Sequence, residues 1–179
     1  IPEVLDYFSK EIELKKETLY NCKMVQAQDG VSVESDTLGA LLYPLEGDTF
    51  ALDMVIKPER YHEFGIALHV DKELETGYFL SMNPKNQLVA WDMWPRGEQG
   101  RYQWQIKGDV PYQIETARKL PKAEEYRVHI IKEKDICVVY INDEIVLSTR
   151  MYNHKDGYAG IYVVQGDVKL IQYKEKRSE

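Results

Sequence analysis

Apolar and polar residues alternate with a period of two over several stretches after Thr18, which is typical of β-strands that bury one face. Two such stretches lie at 50–57 and 63–70, and a third covers 126–141. Their predicted inward positions are Phe50, Leu52, Met54 and Ile56, then Phe64, Ile66, Leu68 and Val70, then Val128, Ile130, Ile136, Val138 and Tyr140. Glu63 and His69 fall on the opposite, polar face.

Turn residues separate these stretches, with Asp29-Gly30, Asn142-Asp143 and Asp156-Gly157 as the clearest examples. The spacing predicts about eleven or twelve strands and hence an all-β fold, a two-sheet antiparallel β-sandwich of the jelly-roll, concanavalin A-like type. We expect a linker-like lead-in over residues 1–17 and one sandwich domain over residues 18–179. A chain that opens Ile1-Pro2 is expected to be a domain of a larger protein.

The net charge of the 179-residue chain is −7, with a pI near 5.2 and no basic stripe. Phosphate recognition needs clustered Lys and Arg, so we expect no nucleic-acid partner. No run of apolar residues approaches the roughly 18 that a membrane span requires, so we expect no membrane partner either.

Motifs for metal, phosphate or nucleophilic chemistry are not found. The four histidines lack metal-ligand spacing, and the glycines lack the spacing of a phosphate loop. We therefore expect no cofactor and no enzyme activity from this chain, while a structural calcium ion stays open. Cys137 alternates with Val139 and Ile141, which predicts a small buried side chain, and a bridge to Cys22 stays open.

All three tryptophans lie between Leu88 and Trp104, and this segment is the first candidate site. Aromatic rings stack on the flat C–H faces of sugars, whereas carboxylates and guanidinium groups bond sugar hydroxyls. Since residues three apart in a strand point to opposite faces, one tryptophan of the first two can be core while the other faces outward. The candidate residues are Trp91, Asp92, Trp94, Arg96 and Trp104.

Two further clusters are candidates for the same role. Tyr61 and Glu63 lie in a polar and aromatic run, Arg60 to Glu63, at the start of a strand. Arg150 ends another strand, where it can serve as a ligand contact or as a buried ion-pair partner. The segment Pro95 to Lys122 is the least strand-like, and a long loop on a rigid sandwich is a common place for binding residues.

The C-terminal third resembles the C-terminal β-sandwich of family 32 glycoside hydrolases, the invertases and fructan hydrolases. The resemblance is carried by YRVHIIKEKDICVVYINDEIVLSTRMY (126–152) and GYAGIYVVQGDVKL (157–170), with the Asn142-Asp143 turn and the pair Gly160 and Gly166 in place. GYFLSMNPKNQLVAWDMWPR (77–96) is similar to a strand pair of the same family. Free-standing relatives, carbohydrate-binding module family 66, are similar in fold.

The resemblance implies a non-catalytic module, because the family's catalytic acids lie in a propeller domain that this chain lacks. It also implies a secreted or cell-surface protein that binds an oligo- or polysaccharide, with the terminal sugar of a fructan as the ligand and a catalytic glycoside hydrolase domain as a partner. Two alternatives stay open. The sandwich could buttress a propeller without a ligand of its own, or it could be a jelly-roll glycosidase with two close carboxylates on a concave sheet.

Overall fold

The computed structural model describes residues 7–94 and 112–178, and the elements it defines there are fourteen β-strands. The predicted all-β class is confirmed. No helix in these two ranges is long and apolar enough to cross a membrane. The strands are β1 (Lys10–Glu11), β2 (Thr18–Tyr20), β3 (Lys23–Ala27), β4 (Gly30–Pro44), β5 (Thr49–Arg60), β6 (Glu63–Val70), β7 (Gly77–Asn83), β8 (Leu88–Trp94), β9 (Tyr112–Gln113), β10 (Arg118–Lys119), β11 (Tyr126–Glu133), β12 (Ile136–Ile141), β13 (Ile145–Arg150) and β14 (Tyr158–Arg177).

The long strands β4 and β14 connect the two layers of the sandwich. Residues 158–164 of β14 pair with β6, whereas residues 167–176 pair with β5, and β4 pairs along both parts. A bulge between Val164 and Gly166 marks the change of layer. The first sheet is therefore β2-β4-β14-β6-β7-β8, with β9 and β10 on β8, and the second is β3-β4-β14-β5-β11-β12-β13, with β1 on β14.

The core lies between these sheets and is filled by alternate residues of each strand. Phe50, Leu52, Met54 and Ile56 are 0–1% exposed, as their period of two predicts. Phe64, Ile66 and Leu68 of β6 meet them from the first sheet and are also fully buried. Burial of each large apolar side chain contributes roughly 1.5–3 kcal/mol, so the core is the main source of stability.

Two predicted facings are wrong. His69 has a φ of 54°, a left-handed conformation that interrupts the alternation of β6. Its ring packs against Phe50, while Val70 joins a cluster outside the core. In β12 the inward residues are Cys137, Val139 and Ile141, not Ile136, Val138 and Tyr140. Val139 lies directly opposite inward Ile130, and residues opposite each other on paired strands share a face.

Cys137 is fully buried, as predicted, and it is not bonded to Cys22. Burial raises the pKa of the Cys137 thiol to about 12, so this thiol is inert at neutral pH. At the other end of the chain, Phe8 is buried against Ala51 and Ile131 on the outer face of the second sheet. The end of the predicted lead-in therefore packs on the sandwich, and the division at residue 17 stays a prediction.

Candidate functional site

The outer face of the first sheet carries an apolar cluster of its own, separate from the core. Ile161 and Val163 of β14 point into the core, while Tyr162 and Val164, which alternate with them, point outward. Tyr162 is 4% exposed and is packed with Ala40, Leu42, Ala67, Val70 and Leu74. A sheet face that points away from the core is normally polar, so an apolar one indicates a covered or ligand-binding surface.

A cleft of about 390 Å³ opens on this face. Its lining combines aromatic and aliphatic side chains with carboxylates: Tyr20, Leu38, Glu63, Glu73, Leu74, Glu75, Phe79, Asp92, Trp94, Tyr162 and Val164. One wall is the turn between β6 and β7, which Asp71 holds in place: its Oδ1 accepts hydrogen bonds from the backbone N–H groups of Glu75 (2.7 Å) and Thr76 (2.8 Å). This anchoring gives the cleft a fixed wall rather than a free loop.

Glu63 is held in the cleft by two hydroxyl groups. The Ser81 hydroxyl and the Tyr162 hydroxyl (3.2 Å) both donate to Glu63 Oε1. Gly65 makes this arrangement possible, because a Cβ at residue 65 would lie 2.9 Å from the Tyr162 ring and 1.9 Å from the Leu80 carbonyl oxygen. The carboxylate is thus fixed in orientation before any ligand arrives.

Asp92 is the unusual polar group of the cleft. Within the described ranges its carboxyl group has no hydrogen bond and no ion pair, although it is half-buried beside Phe79. Burial, and then the charge of Glu63, raises the pKa of Asp92 to about 6. A partly desolvated carboxyl without a partner is an acceptor that a ligand can satisfy, and such perturbed groups concentrate at functional sites.

Trp91 and Trp94 face opposite sides of β8, as their three-residue spacing predicts. Trp91 is 0% exposed and belongs to the core, so it is removed from the candidate site as a direct contact. Trp94 lies on the same face as Asp92 and lines the cleft. The alternation on β8 therefore places the ring and the carboxyl group together on the outer face.

The other predicted residues do not join this cleft. Tyr61 lies at the β5–β6 turn, where its ring packs on Phe64. Lys85 Nζ lies over the face of the Tyr61 ring, 4.6 Å from its centroid, in a cation–π contact. Arg150 is exposed on β13, beside Ile136 of β12 in the second sheet. Neither Tyr61 nor Arg150 lines the cleft, so these two candidates lie at places separate from it. Arg96 and Trp104 lie outside the described residues.

Several residues of the site do not follow from the sequence, chiefly Phe79, Leu74 and Tyr162 in the lining and Ser81, whose hydroxyl donates to Glu63. One signal could have found Tyr162. The run Ala159–Val164 is apolar at every position, and a strand buried on both faces has such a continuous run. The other lining residues come from β7, from the turn before it, and from β2 and β4, which only the folded chain brings together.

The part of the chain that the structure describes contains no group of three or more His, Cys, Asp or Glu side chains placed to hold a metal ion. The lining of the cleft offers rings for stacking, apolar surface for burial, and carboxylates as hydrogen-bond acceptors.

The fold places the chain in a class of antiparallel β-sandwiches of the jelly-roll type. It is similar to the carbohydrate binding module CBM66 from Bacillus subtilis, with a TM-score of 0.75 and 17% identity, covering 91% of this chain and 96% of that one. A Bacillus subtilis protein with a galectin-like fold gives a TM-score of 0.62 at 9% identity, covering 94% and 98%. The exoplasmic/lumenal domain of VIP36, in its Ca²⁺/Man3GlcNAc-bound form, gives 0.61 at 10%, covering 91% and 84%.

At these identities the likeness establishes the fold alone. It confirms the predicted sandwich and its similarity to a family 66 module, while the predicted affiliation with family 32 glycoside hydrolases is not shown. No protein-family model matches the chain, and no curated protein matches it.

Proposed function

We propose that the chain binds carbohydrate, without cutting it, in the cleft on the outer face of the first sheet. The observation that carries the proposal is that Trp94 and the carboxyl group of Asp92, which has no partner in the described ranges, line one cleft. A sugar ring presents a C–H face to the tryptophan and hydroxyl donors to the carboxylate, so it satisfies both groups at once. The similarity in fold to a carbohydrate binding module agrees with this role.

We propose further that the ligand is the terminal sugar of a fructan, and that the chain acts while attached to a glycoside hydrolase. The family 32 resemblance of the C-terminal third supports this extension. A cleft of about 390 Å³ is at the small end of ligand sites, and it suits the end of a polysaccharide rather than a long stretch of it. Attachment to an enzyme would raise the effective concentration of the enzyme at the polymer.

A glycan-array screen that includes levan, inulin and sucrose tests the proposal, followed by calorimetric titration of each hit. We expect Trp94→Ala to lose binding while the far-ultraviolet circular dichroism is unchanged. Tyr152→Ala is the matched control, since Tyr152 is an aromatic residue 69% exposed and outside the cleft. No sugar bound by the parent protein, or equal affinity of the Trp94 variant, would refute the proposal. Any confirmed ligand would also refute the buttress hypothesis.

A second candidate function is glycoside hydrolysis, because the cleft holds two carboxyl groups in different environments. Glu63 accepts hydrogen bonds from two hydroxyls, whereas Asp92, whose pKa is raised to about 6, can carry a proton near neutral pH. An acid and a base or nucleophile are the two groups that hydrolysis of a glycosidic bond requires. Incubation of each bound oligosaccharide with the parent protein and with Glu63→Gln decides between binding and hydrolysis. Cleavage by the parent that the substitution abolishes would show that the protein is an enzyme.

A further inference from the structure

The carboxylates of the cleft have a consequence for the charge of its ligand. Four of the lining residues are acidic, Glu63, Glu73, Glu75 and Asp92, while none of the lining residues that the structure describes is Lys, Arg or His. Glu63 on β6 and Asp92 on β8 are partly buried, whereas Glu73 and Glu75 are exposed and belong to the turn that forms the wall. The ligand therefore enters a negatively charged surrounding.

The positions of Glu63 and Asp92 make this charge effective. The Glu63 carboxylate is fixed by Ser81 and Tyr162, so it cannot swing away from an approaching group. Asp92 has no cation beside it in the described ranges to neutralise it, and it is partly shielded from water, where charges interact more strongly than at an open surface. At pH 7, above its pKa of about 6, the ionised form of Asp92 predominates.

We infer that the cleft selects its ligand by charge: it takes uncharged saccharides and rejects acidic ones, with Asp92 and Glu63 as the selecting residues. The inference rests on the proposed function. Hydroxyl groups can donate to both carboxylates, whereas a uronate, sulfate or carboxymethyl group offers only acceptors and adds a like charge. Rejection of the wrong ligand by unpaired like charges is a common source of specificity.

The test uses inulin-, levan-, cellulose- and mannan-derived oligosaccharides, each as the neutral form, a carboxymethylated form and an aminoethylated form of equal substitution. The aminoethylated form carries a substituent of similar bulk but of opposite charge, so a loss of affinity seen only with the carboxymethylated form comes from its negative charge. We expect the neutral and aminoethylated forms of one oligosaccharide to bind and the carboxymethylated form to bind at least about tenfold more weakly at pH 7. Raising the salt concentration should narrow that difference, since salt screens repulsion.

The substitution Asp92→Asn keeps the shape of the side chain and removes its charge. We expect it to reduce the ratio of neutral to carboxymethylated affinity by about tenfold, and a merely structural role of Asp92 would not change that ratio. Equal binding of the neutral and carboxymethylated forms by the parent protein would overturn the charge selection and leave the proposed function intact. Absence of binding to all forms and to all sugars of the screen would instead refute the proposed function.

Discussion

The two tryptophans of β8 offer the sharpest test of how the chain divides its residues between core and site. Trp91 is 0% exposed within the sandwich, and Trp94, three residues later, lines the cleft on the opposite face. Truncation of a fully buried tryptophan removes its apolar contacts and leaves a cavity, at a cost of about 3–5 kcal/mol. Trp94 is partly exposed and packs outside the core, so its truncation leaves no core cavity and should cost much less.

The two variants should therefore show opposite effects. Trp91→Ala is expected to lower the free energy of unfolding by about 3–5 kcal/mol, a large part of the 5–15 kcal/mol typical of a domain, and to leave the cleft chemistry in place. Trp94→Ala is expected to unfold like the parent and to bind sugar at least about tenfold more weakly, which corresponds to about 1.4 kcal/mol.

Urea unfolding followed by far-ultraviolet circular dichroism gives the first quantity, and calorimetric titration gives the second. A third variant, Trp91→Phe, keeps a core ring and removes the indole N–H, which has no hydrogen-bond partner in the described part of the protein. We expect it to lose much less stability than Trp91→Ala, since the cavity is smaller and one unpaired polar group is gone. A loss below 1 kcal/mol for Trp91→Ala, or a larger loss for Trp94→Ala than for Trp91→Ala, would refute the assignment of faces.

Three further predictions concern stability, all measured by urea unfolding. Lys132 is 1% exposed, and burial lowers the pKa of its ammonium group, which shows that the charge is unfavourable there. Lys132→Met removes this charge and should raise the free energy of unfolding by about 1–3 kcal/mol. A lower free energy of unfolding would contradict this explanation. The 2.6 Å hydrogen bond from the His129 ring to Asp53 raises the pKa of His129, so the protonated His129 stabilises the fold fully below about pH 6.5. This stabilisation is lost as the pH rises through the raised pKa. The variant His129→Gln should lack this part of the pH dependence, and a pH profile of stability equal to that of the parent would disprove the role of His129. A Cβ on residue 160 would lie 1.9 Å from the Leu41 carbonyl oxygen, so Gly160→Ala should cost at least about 1–3 kcal/mol, and parental stability would show that β4 and β14 can separate without penalty.

The fold could be predicted because its strands obey local rules. In β5 the inward residues follow from alternation alone, and the same rule separates Trp91 from Trp94 in β8. The rule fails at His69, because its left-handed φ places the Val70 side chain on the outer face instead of in the core. The local sequence pattern does not predict that conformation. In β12 both faces carry apolar residues, so only the pairing with β11 decides which face is inward.

The site could be predicted only where one strand contains it. Asp92 and Trp94 share the outer face of β8, and the aromatic and acidic composition of this segment pointed to them. Glu63 was identified together with Tyr61, yet only Glu63 reaches the cleft, because the turn between β5 and β6 directs the two side chains to different places. Arg150 resembled the other candidates by chemistry alone, and its distance from them follows from the order of the strands.

Three features that break local rules meet at the cleft, and this coincidence supports placing function there. Tyr162 is an apolar residue on an outer sheet face, where polar residues are usual. Residue 65 of β6 is a glycine, and its lack of a Cβ leaves room for the Tyr162 ring. Asp92 carries a carboxyl group into the same half-buried place without a partner in the described ranges, where its raised pKa shows the cost of its charge. Features of this kind lower the stability of the unliganded protein slightly. Natural proteins violate local rules chiefly at functional sites, where a ligand can supply the missing contacts. On this argument, Asp92→Asn should make the free protein more stable at pH 7 while it weakens the bound state, and a site residue is recognised by that opposition of effects.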